Sequence, residues 1–322
     1  TRNIWKYYLF SFLTSLAFFS GVLIPFFTQW GGLSQFQIQI LQAWFMFWIF
    51  VLEIPTGAIA DYFGRKYSVA LGALVVTFAA LIYGNFPSFK VFLLGEFLFA
   101  AAMALQSGAD EALIYDSLKE IGQADQAKKI IGRARSFELI AIGLGAPIGS
   151  FIAAKLGMNF PMLFSAVPFL LAALVAMTFK EAKTTGVSES KRYLDIIQDG
   201  LKYLKNHPTL KILALDAIAV ASSAYFVIWL YQRLLQQIGV AVIWFGFFHL
   251  SLTLIQILIN NTFHFMEKIA GSIKNYLRLT ALLVGIGFVA AGLWPNMLTL
   301  GLLIILSGGF GLTRLTHISS HL

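Results

Sequence analysis

The sequence predicts an all-α integral membrane protein of about ten transmembrane helices, and three observations predict it. Hydrophobic residues make up 58% of the 322-residue chain and charged residues only 12%, about half the charged share of a typical soluble domain. The mean hydropathy is +0.78. Apolar stretches of about twenty residues, the length a helix needs to cross a bilayer, recur along the chain with Gly, Pro, Asn or charged residues between them. Such a composition cannot cover a water-facing surface, whereas lipid accepts apolar side chains on the outside of a bundle.

Ten stretches qualify, at about 7–28, 36–60, 67–86, 91–115, 132–157, 160–179, 210–235, 240–266, 275–294 and 297–322. The first is too long for the apolar region of a signal peptide and no small-residue cleavage pattern follows it. Charged residues mark the turn between the second and third spans, and Asn85-Phe86-Pro87 precedes the fourth. Lys180 to Pro208 is the longest polar stretch and divides the spans six and four. Within it, Tyr193, Ile196, Ile197, Leu201 and Leu204 recur at helical spacing beside Lys191, Arg192, Lys202 and Lys205, which predicts a helix lying on the membrane surface or solvated beside it. Glu267-Lys268 separates the eighth and ninth spans, and Trp294-Pro295-Asn296 before the tenth echoes the turn before the fourth.

With the N-terminus in the cytoplasm, all but three of the 23 Lys and Arg residues fall on the cytoplasmic side, the exceptions being Lys90, Lys155 and Arg233. The net charge of +8 therefore reflects topology rather than nucleic-acid binding. Absence of cysteine excludes disulfides, thiolate metal sites and Cys nucleophiles. The five histidines show no metal spacing, and Ser307-Gly308-Gly309 lacks the Lys-Ser/Thr of a nucleotide-binding loop, so no cofactor or ATP-driven step is expected. Six spans (1–180), a cytoplasmic linker (181–208) and a second set (209–322) read as two helical halves around a midplane site.

Between spans two and three stands Gly57-Ala58-Ile59-Ala60-Asp61-Tyr62-Phe63-Gly64-Arg65-Lys66. Its glycines allow close helix contact, and Asp61 is placed to cap the helix that follows. This segment resembles the signature loop of the major facilitator superfamily, with Tyr62 where the pattern has its first basic residue. In span five, Gly143-Leu144-Gly145-Ala146-Pro147-Ile148-Gly149-Ser150 looks like the Gly-Pro motif of that superfamily's drug:proton antiporters, and Gly145, Pro147 and Gly149 are read as a helix bend. The resemblance implies a bundle of two pseudo-symmetric halves, a cytoplasmic gate at Gly57, Asp61, Gly64, Arg65 and Lys66, and two further spans that this sequence lacks. It also implies an arginine in span four, where Leu93-Leu94-Gly95-Glu96-Phe97 carries an acid instead.

A carboxylate inside a span costs about 3 kcal/mol near the centre, so each needs a partner or a task. Arg133 and Arg135 are expected to neutralise Asp110 or Glu111 across a short loop, mainly as a structural network. Glu53, Glu96, Glu138 and Asp216 have no basic partner evident in sequence and are the candidates for proton coupling. Among the 49 aromatic residues (31 Phe, 11 Tyr, 7 Trp), Phe18 and Phe19, Trp44 and Phe45, and Tyr225 and Trp229 lie on spans that resemble cavity-lining ones in the family. Asn260 in span eight adds a polar group.

The expectation is a monomeric, multi-pass secondary transporter of the cell membrane, using H+ and a small molecule, with efflux of drug-like or amphipathic compounds ahead of import of a sugar, organic acid or other metabolite. An integral-membrane enzyme would require clustered acids or histidines at one membrane face. An impermeant amine reagent is expected to reach Lys66 and Lys191 only from the cytoplasmic face; labelling in right-side-out vesicles reverses the orientation.

Overall fold

The computed structural model describes residues 2–181, 200 and 202–314. Most of the expected surface helix, including Lys191, Arg192 and Tyr193, lies outside them, as does the end of the tenth span beyond Arg314. Among the described residues there is no strand, and nine helical segments are long and apolar enough to cross a membrane. They are α1 (Asn3–Trp30), α2 (Gln35–Phe63), α3 (Arg65–Asn85), α4 (Phe89–Glu120), α5 (Ala124–Leu156), α6 (Phe160–Met177), α7 (Leu210–Gln237), α8 (Val242–Ala270) and α9 (Ile273–Leu293). A shorter apolar segment, α10 (Met297–Gly311), follows. The membrane end holding Asn3 is called proximal and the opposite end distal.

Local chemistry sets several boundaries. Ser34 and Asn296 open α2 and α10 with reciprocal bonds to Gln37 and Thr299, and Ser272 caps α9 by accepting from the Asn275 amide. The expected Asp61 cap is not formed. The second helix runs on through Phe63, which leaves Asp61 exposed on its last turn, and Gly64 at φ +101° then reverses the chain. The free amides of Arg65 and Lys66 instead donate to the Glu181 carboxylate, at 2.8 and 2.9 Å, from just beyond α6.

Among the irregular helices, α4 and α1 are broken where neighbours supply partners. At Ser107–Gly108 α4 breaks, with Gly108 at φ +69°, and restarts at Ala109 with Asp110 and Glu111 in its first turn. The carbonyls left over are met by neighbours, because the Ser68 hydroxyl donates to Leu105 O at 2.7 Å and Thr56 Oγ1 lies 3.0 Å from Ala104 O. The first helix ends its regular run at Ser15 and resumes through Ser20–Val22 and Leu23–Pro25.

In the first six helices, α3 packs on α4 and α6, α2 on α4, and α1 on α5 and α6. The later four meet this group mainly where α8 crosses α5 and α1 and where α7 crosses α1. The segment expected to bend α5 is a site of close approach: α5 continues through Pro147 from Ala127 to Leu156, and Gly149 lies against the Phe18 carbonyl of α1, only 1.6 Å from where a Cβ would stand. Gly145 faces Ala17 of α1. On the other side, Ser150 Oγ accepts from the Gly246 amide of α8 at 2.9 Å.

Gly149→Ala is therefore expected to lower the melting temperature of the detergent-solubilised protein, by the equivalent of about 1–3 kcal/mol of overpacking, despite the better helix propensity of Ala. Gly132→Ala, on the same helix with nothing within 4 Å, should leave it unchanged or raised.

Candidate functional site

Near the distal end the helices leave a cavity of about 170 Å³. It is bounded by Phe19, Leu23 and Phe27 of α1, Gln42 and Phe45 of α2, Tyr83 of α3, Glu96 and Phe99 of α4, Met162 of α6, and Tyr225 and Trp229 of α7. Both helix sets thus contribute walls. Seven of these side chains are aromatic, and no basic residue is among them. Gly95 makes the wall possible, because a Cβ there would stand 2.1 Å from the Tyr83 ring. That ring stacks on Phe92 at 5.0 Å and meets the edge of Phe99 at 5.6 Å.

Glu96 is the charged group of the cavity and is 7% exposed. Gln42 Nε2 donates to its Oε1 at 3.2 Å. The Tyr83 hydroxyl also lines the cavity, buried, without a hydrogen bond of good geometry. Carboxylate, amide and phenol therefore form one polar corner in an aromatic chamber, an arrangement with the chemistry to hold a proton or a cation and to orient one polar group of a ligand.

Of the aromatic and polar residues singled out in sequence, Phe19, Phe45, Tyr225 and Trp229 line this chamber, while Phe18, Trp44 and Asn260 do not. The Phe18 amide donates to Ser165 Oγ at 2.9 Å, and its neighbour Phe19 forms the wall. Trp44 Nε1 donates to Leu93 O at 3.0 Å, tying α2 to α4, and Phe45 takes the lining position. Asn260 sits at an exposed position of α8. A one-residue offset rotates a helix side chain by about 100°, so span membership alone cannot select the lining residue.

The loop after α2 also acquires partners. The Arg65 guanidinium bonds Ala112 O at 2.9 Å and pairs with Asp116. Together with Glu181 this binds the start of α3 to the proximal ends of α4 and α6. Gly57 faces open space, and the Lys66 ammonium lies 5.5 Å from the Tyr67 ring.

Among the described residues, hydrogen bonds between α1–α6 and α7–α10 lie at the distal end: Ile24 and Ser20 with Gln232, Thr28 with Gln236, and Ser150 with Gly246. The two sets are in direct contact at this end.

The sequence pattern of the Major Facilitator Superfamily matches residues 7–320. The chain belongs to the major facilitator superfamily. An uncharacterized MFS-type transporter of Methanocaldococcus jannaschii is 22% identical over 200 residues, 61% of this chain and 49% of that protein, so the chain spans about half the length of the curated relative it matches. A crystal structure of the nucleoside transporter NupG superposes with a TM-score of 0.80 at 13% identity, covering 100% of this chain and 82% of the other. A bacterial homolog to the human lysosomal transporter Spinster, in an inward-facing and occupied conformation, gives 0.74 at 16% identity over 99% and 77% of the two chains. A D-xylose–proton symporter gives 0.60 at 14% identity over 96% and 78%. These structures establish the major facilitator fold, and the proteins they represent are transporters, not enzymes.

Within this major facilitator bundle, two of the four carboxylates read as unpartnered are paired. Glu138 accepts from Arg135 Nη1 at 2.9 Å, one turn away on α5, a spacing legible in the sequence. Asp216 receives Arg314 from just beyond α10, with contacts of 2.6, 2.8 and 3.0 Å. Arg314 is 1% exposed and also donates to Leu277 O at 2.6 Å and to the Thr280 hydroxyl of α9. Glu53 is exposed and accepts from Ser107 Oγ at 3.3 Å. The expected network is half formed: Arg135 reaches Glu111 at 2.9 Å, whereas Arg133 is exposed and pairs with neither acid, and Asp110 accepts from the Glu111 amide at 2.7 Å.

Asp216→Asn leaves the Arg314 charge buried without its counter-ion and is expected to cost about 3 kcal/mol or more. The double change Asp216→Asn with Arg314→Met should recover a large part of the lost melting temperature. A single variant as stable as the parent would show that the pair holds nothing together.

Proposed function

We propose that this chain is a secondary transporter that moves a small solute across the cell membrane, working as a monomer with its proximal end in the cytoplasm, and that it couples efflux of drug-like or amphipathic compounds to proton entry. The observation that carries this reading is Glu96, a carboxylate without a basic partner among the described residues, set in an aromatic chamber walled by both helix sets. Aromatic walls bind apolar bodies by area and cationic heads by attraction to the ring faces. A single acid that holds either a proton or a cationic head exchanges one for the other, which is the requirement for antiport. The two sets would then act as halves, 1–180 and 209–322, rocking about this chamber. A drug-sized ligand needs about 300 Å³ or more, so the observed cavity of about 170 Å³ accepts a compact solute or one end of a longer one.

A second reading draws on the polar corner of Gln42, Tyr83 and Glu96, which also suits a hydroxylated metabolite. Structural neighbours that carry nucleosides or D-xylose with protons are compatible with it.

In proteoliposomes, Glu96→Gln is expected to reduce pH-driven movement of a lipophilic cation such as ethidium by about tenfold or more, the loss of one bond to a charged group. Glu53→Gln, outside the cavity, should stay within about twofold of the parent. Undiminished pH-driven transport in Glu96→Gln removes that acid as the carrier; transport of a pentose or nucleoside in place of ethidium selects the second reading.

A further inference from the structure

The interruption in α1 is bridged by a side chain from the other helix set. In an uninterrupted helix the Ile24 amide would donate to Ser20 O, four residues back. Here both groups engage one amide of α7: Ile24 N donates to Gln232 Oε1 at 2.9 Å, and Gln232 Nε2 donates to Ser20 O at 3.0 Å. The α7 side chain thus bridges the donor and the acceptor of one rung of the α1 ladder.

The local sequence favours such an opening. Pro25 has no amide to offer Gly21 O, and Gly21 carries the low helix propensity of glycine. Val22, at φ −131° and ψ 20°, departs from helical values at this point. Gln232 is 1% exposed, and its remaining proton goes to the Tyr231 hydroxyl at 3.0 Å, which in turn lies 2.8 Å from His249 Nδ1 of α8. All of the polar atoms of the Gln232 amide are thus engaged, in a region where an unpaired group is costly.

We propose that Gln232 is a removable rung: inserted into α1 it holds the distal side shut, and its withdrawal with α7 lets Ile24 bond Ser20 directly, so that α1 closes its own ladder as the distal side opens. Both end states leave the α1 backbone satisfied, which makes the segment a two-state element rather than a fixed kink. The opening is flanked by a close contact between the helix sets, since a Cβ on Gly21 would stand 2.8 Å from Gly246 Cα. Separation there needs no large side chain to move aside. This inference rests on the alternating-access reading above but not on the identity of the solute, and Gln232 acts on transport by positioning α1 against α7.

The absence of cysteine allows paired labels to be introduced without background. Spin labels at Phe86→Cys with Trp294→Cys report the distal end, and at Lys119→Cys with Lys268→Cys the proximal end; all four positions are exposed. In lipid nanodiscs Gln232→Leu, which keeps the volume and loses the bonds, is expected to increase the long-distance distal population by about tenfold and to shorten the proximal distances in step. Gln232→Asn retains an amide but is one methylene too short to reach both Ile24 N and Ser20 O. It should shift both pairs in the same direction and serves if the Leu variant is not recovered folded. Unchanged distributions at both ends overturn the proposal. Distal lengthening without proximal shortening overturns it too, because simple loosening of a contact would not move the far side. The distances need no transported solute, so a failed ethidium assay with shifted distances rejects the efflux reading and leaves the rung standing.

Discussion

Hydrocarbon offers no partner to an unpaired backbone amide or carbonyl, and the arrangement of this bundle follows from where that constraint is met other than by regular helix. Most of the chain satisfies it locally. At the interruptions the partners come from elsewhere: Ser68 and Thr56 for the carbonyls ending the first part of α4, Ser165 for the Phe18 amide, Glu181 for the first amides of α3, and Gln232 for both sides of the gap in α1. Each partner ties two helices together at a point that their apolar surfaces alone would not specify. Gln232 ties together the two helix sets, and this gives the opening in α1 a mechanical meaning that the other interruptions lack.

The same accounting governs charge. Arg314 is almost fully buried, yet Asp216, Leu277 and Thr280 surround its guanidinium, so it welds α7, α9 and α10 into a unit. Arg65 with Asp116, and Arg135 with Glu111 and Glu138, do corresponding work at the proximal ends of the first helices. Against these satisfied pairs Glu96 differs in kind, because its neighbours are an amide, a phenol and aromatic faces. A carboxylate kept in such surroundings has little structural benefit to offer, which is why function is assigned to it rather than to Asp216 or Glu138.

Much of the fold was legible before any coordinates, because the length and spacing of apolar runs are written locally along the chain. The order of the spans followed from it. The site was legible in part. The rule that an acid within a span requires explanation singled out Glu96, while Tyr225 and Trp229 were chosen by position on the seventh span. Gln42, Tyr83 and Gln232 were missed, since an uncharged polar residue in an apolar run is a weak signal on its own. Pro25 following Gly21 by four residues was the available hint that α1 would open and look for a partner. Asp61 was misassigned because the helix before it ran three residues further than its apolar pattern, and that turned a capping position into an exposed one.

By itself the sequence determined that the chain lies in a bilayer as helices, which spans carry ionisable groups, and that each such group is costly enough to need an answer. Only the tertiary structure decided which answer each received: that Asp216 meets an arginine 98 residues away, that Glu96 meets none among the described residues, and that α7 lends an amide to α1. The physical reason is that hydrophobic patterning depends on neighbours along the chain. Partner choice depends instead on which faces of distant helices come together, and that is set by close contacts such as Gly149 on Phe18 and Gly246 on Ala146.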